Sequence, residues 1–178
     1  VSLQEGYPIV SKIMERFGRH LYYRKDEETQ YKYPPSQGII IEERLPVETM
    51  REFHWWVVNG HVLFVCIRCN DENGSGGSYY STNFVELTMR SRRLNPCIDL
   101  PKPKQWDQMI EMTRTLSNHM PGHVIRVDLY ASDVNVYFSE LTFTSNACRV
   151  LYSPIEADAL LYGALFDRLS PQQLTPKY

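Results

Sequence analysis

The segment from Val124 to Thr142 constrains the fold of this chain more than any other. Its first part, Val-Ile-Arg-Val-Asp-Leu-Tyr, alternates apolar and polar residues, and its second part, Val-Asn-Val-Tyr-Phe-Ser-Glu-Leu-Thr, is rich in strand formers. Ala131-Ser132-Asp133 between them has the composition of a turn. The segment therefore predicts two antiparallel strands joined by a short turn.

One face of this hairpin is expected to carry charged and polar side chains. Arg126 and Asp128 are two residues apart on the first strand, so they share a face. A turn with an odd number of residues places the following residues of the second strand on the same face: Val134, Val136, Phe138, Glu140 and Thr142. Burying a cation and two carboxylates costs several kcal/mol unless each is paired or binds an ion.

The carboxylates on this face allow two interpretations. Two carboxylates a few ångströms apart suit a hard cation such as Mg²⁺, which takes oxygen ligands. Arg126 can instead form a structural ion pair with Asp128 or Glu140 on the solvated face of a hairpin. Spacing alone favours the ion pair, because short motifs are easily over-interpreted.

The two strands resemble the metal-binding end of the ATP-grasp fold, and within it the branch related to teichuronopeptide biosynthesis proteins, called TupA-like. The matching pieces are Val-Ile-Arg-Val-Asp-Leu-Tyr and, after a short gap, Tyr-Phe-Ser-Glu-Leu-Thr-Phe-Thr. The resemblance implies that Asp128 and Glu140 hold the Mg²⁺ ions that bridge the nucleotide phosphates. It implies that Arg126 neutralises the transferred phosphate. Thr142 is a third candidate metal ligand, at a position where most ATP-grasp enzymes have asparagine.

The same resemblance assigns the nucleoside site to an earlier segment. Residues 38–46, Gly-Ile-Ile-Ile-Glu-Glu-Arg-Leu-Pro, form an apolar run that ends in charge. Taken alone, this run favours a central strand that emerges into solvent. In ATP-grasp enzymes such a strand ends in the hinge that carries adenine. The resemblance therefore implies that Glu42, Glu43 and Leu45 seat the adenine and that Glu52 holds the ribose hydroxyls.

Asn59-Gly60 between two apolar runs is typical of a β-hairpin with a type I′ turn. With a two-residue loop the register predicts two cross-strand pairs: Trp55 with Phe64 and Val57 with Val62. Aromatic residues in such pairs are expected in the core.

Several positions depart from the pattern of the TupA-like branch. His54 stands where the branch has lysine, Ser81 and Phe84 stand where it has aspartate and tryptophan, and Ala147 replaces a glycine or proline. The residues before Gly38 are too few for the lobe that carries a phosphate-binding lysine and a glycine-rich lid. We therefore expect the C-terminal lobe of a larger ATP-grasp protein, with the N-terminal lobe in a longer chain or a partner.

The cysteines and a glycine-rich segment give weaker indications of structure or function. Cys66 and Cys69 have zinc-like spacing, but three residues apart on a strand they point to opposite faces. Together with Cys97 and Cys148 they are expected to be reduced thiols, mainly buried. Residues 70–78 are rich in glycine and lack the phosphate-loop pattern, so they predict a flexible loop.

Helical periodicity predicts helices over three segments: residues 8–22, 101–120 and 154–169. With the strands, they indicate an α+β fold, a mostly antiparallel sheet flanked by helices as in the ATP-grasp C-terminal lobe. The expected organisation is a helix and loop, then the lobe, then a tail: residues 1–37, 38–169 and 170–178.

Composition narrows the class of protein. The net charge of −2 gives no indication of general nucleic-acid or anionic-membrane binding. No apolar run of about 18 residues is present, so no membrane span is expected. The first residue is valine and no signal-peptide pattern follows it, so we expect a fragment or trimmed product. The expected reduced thiols fit a cytoplasmic protein.

The resulting functional hypothesis is an ATP- and Mg²⁺-dependent ligase. Its partners would be ATP, a small carboxylate and an amine. The carboxylate would be activated as an acylphosphate, which the amine then attacks. In the related branch, such a reaction belongs to cell-surface polymer or peptide–sugar synthesis. The departures above favour an alternative, a non-catalytic nucleotide- or partner-binding domain on a degenerate ATP-grasp lobe. A divalent-metal-binding protein with no nucleotide role is a third alternative.

Overall fold

The computed structural model describes residues 45–46, 49–71, 74–143 and 150–157. The chain divides after residue 45 into two compact units, and the elements below all lie in the second. They are β1 (Arg51–Val58), β2 (His61–Asp71), β3 (Gly74–Tyr80), β4 (Arg90–Ser91), α1 (Trp106–Asn118), β5 (Val124–Ala131), β6 (Val136–Thr142) and β7 (Tyr152–Ser153).

Five of these strands form one sheet in the order β3-β2-β1-β5-β6, and β4 pairs separately with β7. Every pair of neighbouring strands is antiparallel. The predicted α+β class with a mostly antiparallel sheet is therefore confirmed. Because β1 lies at the centre of the sheet, its side chains reach the layers on both faces.

The turn between β1 and β2 has the predicted geometry. Asn59 and Gly60 have φ angles of 47° and 74°, which a type I′ turn requires at both central residues. The side-chain amide of Asn59 also accepts a hydrogen bond from the backbone N–H of Gly122, at 2.7 Å. The turn is thereby fixed to the loop that precedes β5.

A β-bulge changes the register of this hairpin beyond its first pairs. Val57 lies opposite Val62, as predicted. The register then shifts between Trp56 and Val57, so that Phe64 faces Trp56. The predicted pairing of Phe64 with Trp55 is wrong, because a bulge sets two residues of one strand against one of the other.

A second bulge decides which residues of β6 share a face with β5. Asp128 faces Glu140, as predicted, but the register then shifts and Leu129 faces Phe138. Ser139 is the extra residue of β6 at this bulge. The expectation that Phe138 shares the face of Glu140 is wrong, because one inserted residue moves the rest of a strand to the other face.

Helix α1 covers one face of the sheet, the face opposite Asp128. It begins at Trp106 rather than at residue 101, because the prolines at 101 and 103 keep the residues before them out of the helical region. Its buried residues are Trp106, Met109, Ile110, Thr113 and Ser117. Trp106, Met109 and Ile110 share one apolar cluster with the odd-numbered residues of β1, so the helix lies behind the β1–β2 hairpin.

The other face of the sheet is partly apolar. Trp56, Phe64 and Tyr79 form an aromatic cluster there, joined by Tyr152 of β7. Both tryptophans of β1 are buried, as expected for cross-strand aromatic residues. The apolar cluster fills only part of this face, and the remainder carries the polar side chains described below.

The cysteines differ from the sequence expectation. Cys69 forms a disulfide with Cys97, whereas Cys66 is a free, buried thiol. Cys97 is held beside β3 because its N–H donates to the hydroxyl of Ser78 at 3.0 Å. The expectation of reduced thiols is therefore wrong for the bonded pair, since only the folded chain brings these two residues together.

The glycine-rich segment is part of the sheet rather than a loop over residues 70–78. It ends β2 and forms most of β3. A Cβ atom at Gly76 would lie 2.5 Å from Cys69 Sγ, and one at Gly77 would lie 2.8 Å from Cys66 Sγ. The glycines therefore leave room for sulfur atoms of the neighbouring strand, a reason for glycine in a strand interior.

Other predicted elements lie outside the described residues. These are the helix over residues 8–22, the strand over 38–46 as far as residue 44, and the last helix over 154–169 beyond residue 157. Residues 155–157 are helical. Within the described part of the chain, no helix combines the length and apolar character needed to cross a bilayer.

Candidate functional site

Three neighbouring strands bring ionisable side chains together on the face opposite α1. The register places His54 of β1 opposite Asp128 of β5, and Asp128 opposite Glu140 of β6. Side chains two residues along each strand extend the set. We call it the polar row: Glu52, His54, Arg126, Asp128, Glu140 and Thr142.

Arg126 is the centre of the hydrogen bonding in the polar row. Its Nε donates to Asp128 Oδ1 at 2.7 Å, and its Nη2 donates to Asp128 Oδ2 at 2.5 Å. Nη2 also lies 3.2 Å from both Glu140 Oε1 and Thr142 Oγ1. The guanidinium carbon is 5.9 Å from the ring centroid of Trp56, within cation–π range. The ion pair that spacing alone favoured is therefore present.

The two acidic side chains on β5 and β6 differ in exposure. The side chain of Asp128 is 4 % exposed, whereas that of Glu140 is 60 % exposed. Burial raises the pKa of Asp128, and the hydrogen bonds from Arg126 act against that rise. Asp128 is thus a buried carboxylate that depends on a nearby cation, while Glu140 opens toward solvent.

Glu52 and His54 form the other end of the polar row. His54 Nε2 lies 2.9 Å from Glu52 Oε1 and 3.9 Å from Asp128 Oδ2. The hydrogen bond from His54 is the main cause that lowers the pKa of Glu52. An ionised carboxylate can only accept, so His54 Nε2 carries the proton it shares with Glu52. Two carboxylates from different strands therefore converge on one imidazole nitrogen.

A family model described as TupA-like ATP-grasp matches residues 8–167 of the chain. The chain belongs to the TupA-like ATP-grasp family. Searches of curated proteins and of solved structures found no match. Family membership indicates an ATP-dependent, ligase-like function with nucleotide and substrate binding, for which ATP-grasp proteins typically use ATP and Mg²⁺.

The TupA-like domain gathers most of the site residues expected from its sequence, and the family match covers all of them. Arg126, Asp128, Glu140 and Thr142 lie within one hydrogen-bonded group. Glu52 lies on the neighbouring strand of the same face. Leu45 is partly buried and belongs to the first unit. Two further predicted residues lie outside the described part: Glu42 and Glu43.

The donor atoms of the TupA-like domain fit the chemistry of Mg²⁺. Asp128, Glu140 and Thr142 offer carboxylate and hydroxyl oxygens, which are the ligands of hard cations. Each carboxylate has about four lone-pair positions, more than the bonds from Arg126 use. An ion at this edge of the polar row would also find open access on the side of Glu140, which is exposed.

Sequence reasoning did not include His54 among the residues that hold a cation. Its role as a neighbour of Asp128 depends on the pairing of β1 with β5, which lie far apart in the chain. The only local signal is the spacing Glu-x-His, which places Glu52 and His54 on one face of a strand.

Proposed function

We propose that this TupA-like ATP-grasp domain serves an ATP- and Mg²⁺-dependent ligation of a small carboxylate to an amine. A carboxylate oxygen of the substrate forms a bond to the γ-phosphorus of ATP as the bond to ADP breaks, which gives an acylphosphate. The amine then attacks the acyl carbon and phosphate leaves. The observation that carries the proposal is the convergence of Asp128, Glu140 and Thr142 on Arg126 in a chain of this family.

Asp128 and Glu140 would hold Mg²⁺ with Thr142 as a further ligand, and the ion would supply charge neutralisation at the phosphates. Support comes from the oxygen donors and from the burial of Asp128, which makes a second positive charge favourable there. Glu140, on the exposed edge, would complete the site from the solvent side.

Arg126 would stabilise the negative charge of the transferred phosphoryl group. Its side chain is 12 % exposed and is oriented by the bonds to Asp128 and by the ring of Trp56. A cation held in advance in a poorly solvated place stabilises developing charge without reorganising during the reaction. Catalysis would therefore rest on positioning and charge neutralisation.

The nucleoside would be seated by Glu42, Glu43, Leu45 and Glu52. For Glu52 the support is its lowered pKa, which keeps the carboxylate ionised near neutral pH and ready to accept from ribose hydroxyls. Its side chain is 32 % exposed, so part of it can be approached from solvent. Synthesis of cell-surface polymers or peptide–sugar conjugates would be a suitable setting for such a ligation.

One observation favours a second candidate function, a non-catalytic nucleotide- or partner-binding domain. Arg126 Nη2 contacts all three candidate metal ligands, Asp128, Glu140 and Thr142. A guanidinium in that place neutralises the carboxylates without a metal ion. A domain of this kind would bind without turning over ATP.

Calorimetric titration of the purified chain with ATP, with and without Mg²⁺, tests the proposal. We expect binding that depends on Mg²⁺ and is lost in the double variant Asp128→Asn/Glu140→Gln. The matched control is Glu86→Gln/Asp107→Asn, which removes two carboxylates away from the polar row and is expected to bind as the wild type does.

The outcomes separate the two candidate functions. Binding that survives in Asp128→Asn/Glu140→Gln would show that the metal assignment is wrong. Absence of nucleotide binding both by this chain and by the longest natural chain that contains it would contradict the ligase proposal. Magnesium-dependent binding without ADP release, across mixtures of carboxylates and amines, would instead favour the non-catalytic domain.

A further inference from the structure

We propose that Glu52, His54 and Asp128 form a binding site for one divalent first-row transition-metal ion, with Zn²⁺ as the representative. The site shares Asp128 with the proposed magnesium site but uses a different donor set, from β1 and β5 rather than β5 and β6. It requires no nucleotide, so it can be tested apart from the ligase proposal.

The distances between the donor atoms suit a single ion. One ligand atom from each of the three side chains lies within 4.8 Å of the other two. Ligands about 2.1 Å from one tetrahedral zinc ion lie about 3.4 Å from one another. The observed separations of His54 Nε2 from Glu52 Oε1 and Asp128 Oδ2, 2.9 and 3.9 Å, lie on either side of that value. Small side-chain rotations would therefore complete the coordination.

The types of donor atom select the class of metal. Mg²⁺ prefers oxygen ligands to an imidazole nitrogen. Imidazole nitrogen suits Zn²⁺ and its neighbours in the first transition row, and carboxylates complete such sites. A set of one imidazole and two carboxylates is therefore better matched to a transition ion than is the oxygen set at Glu140 and Thr142.

The surroundings hold the three side chains in place. His54 and Asp128 face each other from the central strands β1 and β5, a rigid part of the sheet. Arg126 donates to both oxygens of Asp128 and orients that carboxylate, and metal ligands are commonly oriented by hydrogen bonds of this kind. The His54 ring lies 6.3 Å from the Trp56 ring, which limits its rotation on one side.

Charge around the site is consistent with a bound cation. Three carboxylates, Glu52, Asp128 and Glu140, belong to the polar row, and two guanidiniums act on them, those of Arg126 and Arg68. With neutral His54 the group has one more negative than positive charge. On binding, the ion takes the place of the proton on His54 Nε2, the neutral ring carries its proton on Nδ1 instead, and Glu52 exchanges a hydrogen bond for a metal bond.

Competition between the protein and a chromogenic chelator for Zn²⁺ measures the site without nucleotide and without an activity assay. We expect one zinc ion per chain and a rise in Tm on binding. His54→Gln is expected to weaken binding about tenfold or more, in line with loss of one of three ligands. His61→Gln is the matched control, because His61 is exposed at the hairpin turn. Glu52→Gln is a second variant, needed if His54→Gln does not fold.

Variants at Glu140 separate this inference from the proposed function. Glu140→Gln is expected to lose Mg²⁺-dependent ATP binding and to keep zinc binding, because Glu140 is not a ligand of the zinc site. Zinc affinity that is unchanged in both His54→Gln and Glu52→Gln would overturn the inference and place the ion elsewhere, for example at a thiol. Zinc binding that depends on His54 in a chain that never binds ATP would leave the inference standing and remove the ligase proposal.

Discussion

Arg126 and Asp128, two residues apart on β5, form a two-point ion pair through Nε–Oδ1 and Nη2–Oδ2 contacts of 2.7 and 2.5 Å. Both side chains are largely buried, at 12 % and 4 % exposure. Their proximity follows from strand geometry alone, since residues i and i+2 share a face. Their burial does not, because it depends on how the neighbouring strands and loops cover that face.

Arg126→Ala is expected to lower the free energy of unfolding by about 3–5 kcal/mol, because it leaves the buried Asp128 carboxylate without its cation. Urea denaturation at neutral pH measures the change. Adding Asp128→Asn to Arg126→Ala should recover part of the loss, since the uncompensated charge is then gone. Glu86→Ala, which breaks the exposed ion pair with Arg90, is the control and should cost no more than about 1 kcal/mol. Additive losses at Arg126 and Asp128 would contradict the coupling.

The stability of the fold should depend on Glu52 in acid. Its pKa is lowered in the folded chain, so the unfolded chain binds the proton more readily. The stabilisation is present above the unfolded value of about 4.3 and is lost as the pH falls through the lower folded value. Wild type should therefore lose more stability between about pH 5 and pH 3 than Glu52→Gln does. Equal losses in urea denaturation across that range would count against the His54–Glu52 interaction.

The raised pKa of Asp128 changes the stability of the fold with pH in the direction opposite to that of Glu52, over a neighbouring pH range. The folded chain holds this proton more tightly, so the contribution of Asp128 to stability falls as the pH rises from its unfolded value of about 3.9 through its folded value. The comparison of wild type with Glu52→Gln keeps Asp128 in both proteins. The difference between the two pH profiles therefore isolates Glu52.

Gly77→Ala should destabilise the domain by about 1–3 kcal/mol, the usual cost of overpacking. The added Cβ atom would lie 2.8 Å from Cys66 Sγ and 2.7 Å from Leu94 Cδ1. The loss should be smaller in a Cys66→Ala background, where the sulfur is absent, so a double-mutant cycle measures the close contact. Gly122→Ala is the contrasting control: no atom lies within 4 Å of its added Cβ, and its φ of 79° alone is the source of strain.

The Cys69–Cys97 disulfide should contribute about 2–4 kcal/mol to the stability of the oxidised chain. Cys69→Ser/Cys97→Ser should unfold at lower urea concentration than the oxidised wild type. Dithiothreitol should bring the wild type to the stability of this double variant and leave the variant unchanged. Peptide mapping without reductant checks the bond directly, and free thiols at both positions would disprove it.

Cys66 should behave differently from the bonded pair. Burial raises the pKa of its thiol to about 12, so almost none of it is thiolate near pH 8. Iodoacetamide should therefore modify Cys66 slowly in the folded chain and rapidly in urea, as peptide mass mapping can follow. Rapid labelling of the folded chain at Cys66 would contradict the burial of this strand.

The tertiary structure changed several local expectations through nonlocal contacts. The Trp55–Phe64 pairing failed because of one bulge, and the face assigned to Phe138 failed because of another. Neither bulge has a glycine or proline at its position, so no local sequence signal predicts it. The sequence alone predicts a loop at Gly76 and Gly77, because the sulfur atoms for which they leave room come close only when β2 and β3 are paired.

The local geometry of this protein follows directly from its amino-acid sequence. Alternation places Arg126 beside Asp128, Asn59-Gly60 sets a type I′ turn, and helical periodicity predicts the helix that the structure shows as α1. These features depend on backbone periodicity and turn chemistry, which act over a few residues. The pairing of β1 with β5, and hence the contact of His54 with Asp128, arises only in the folded chain. That contact joins residues far apart in the chain, and the burial it creates sets the charge balance of the polar row.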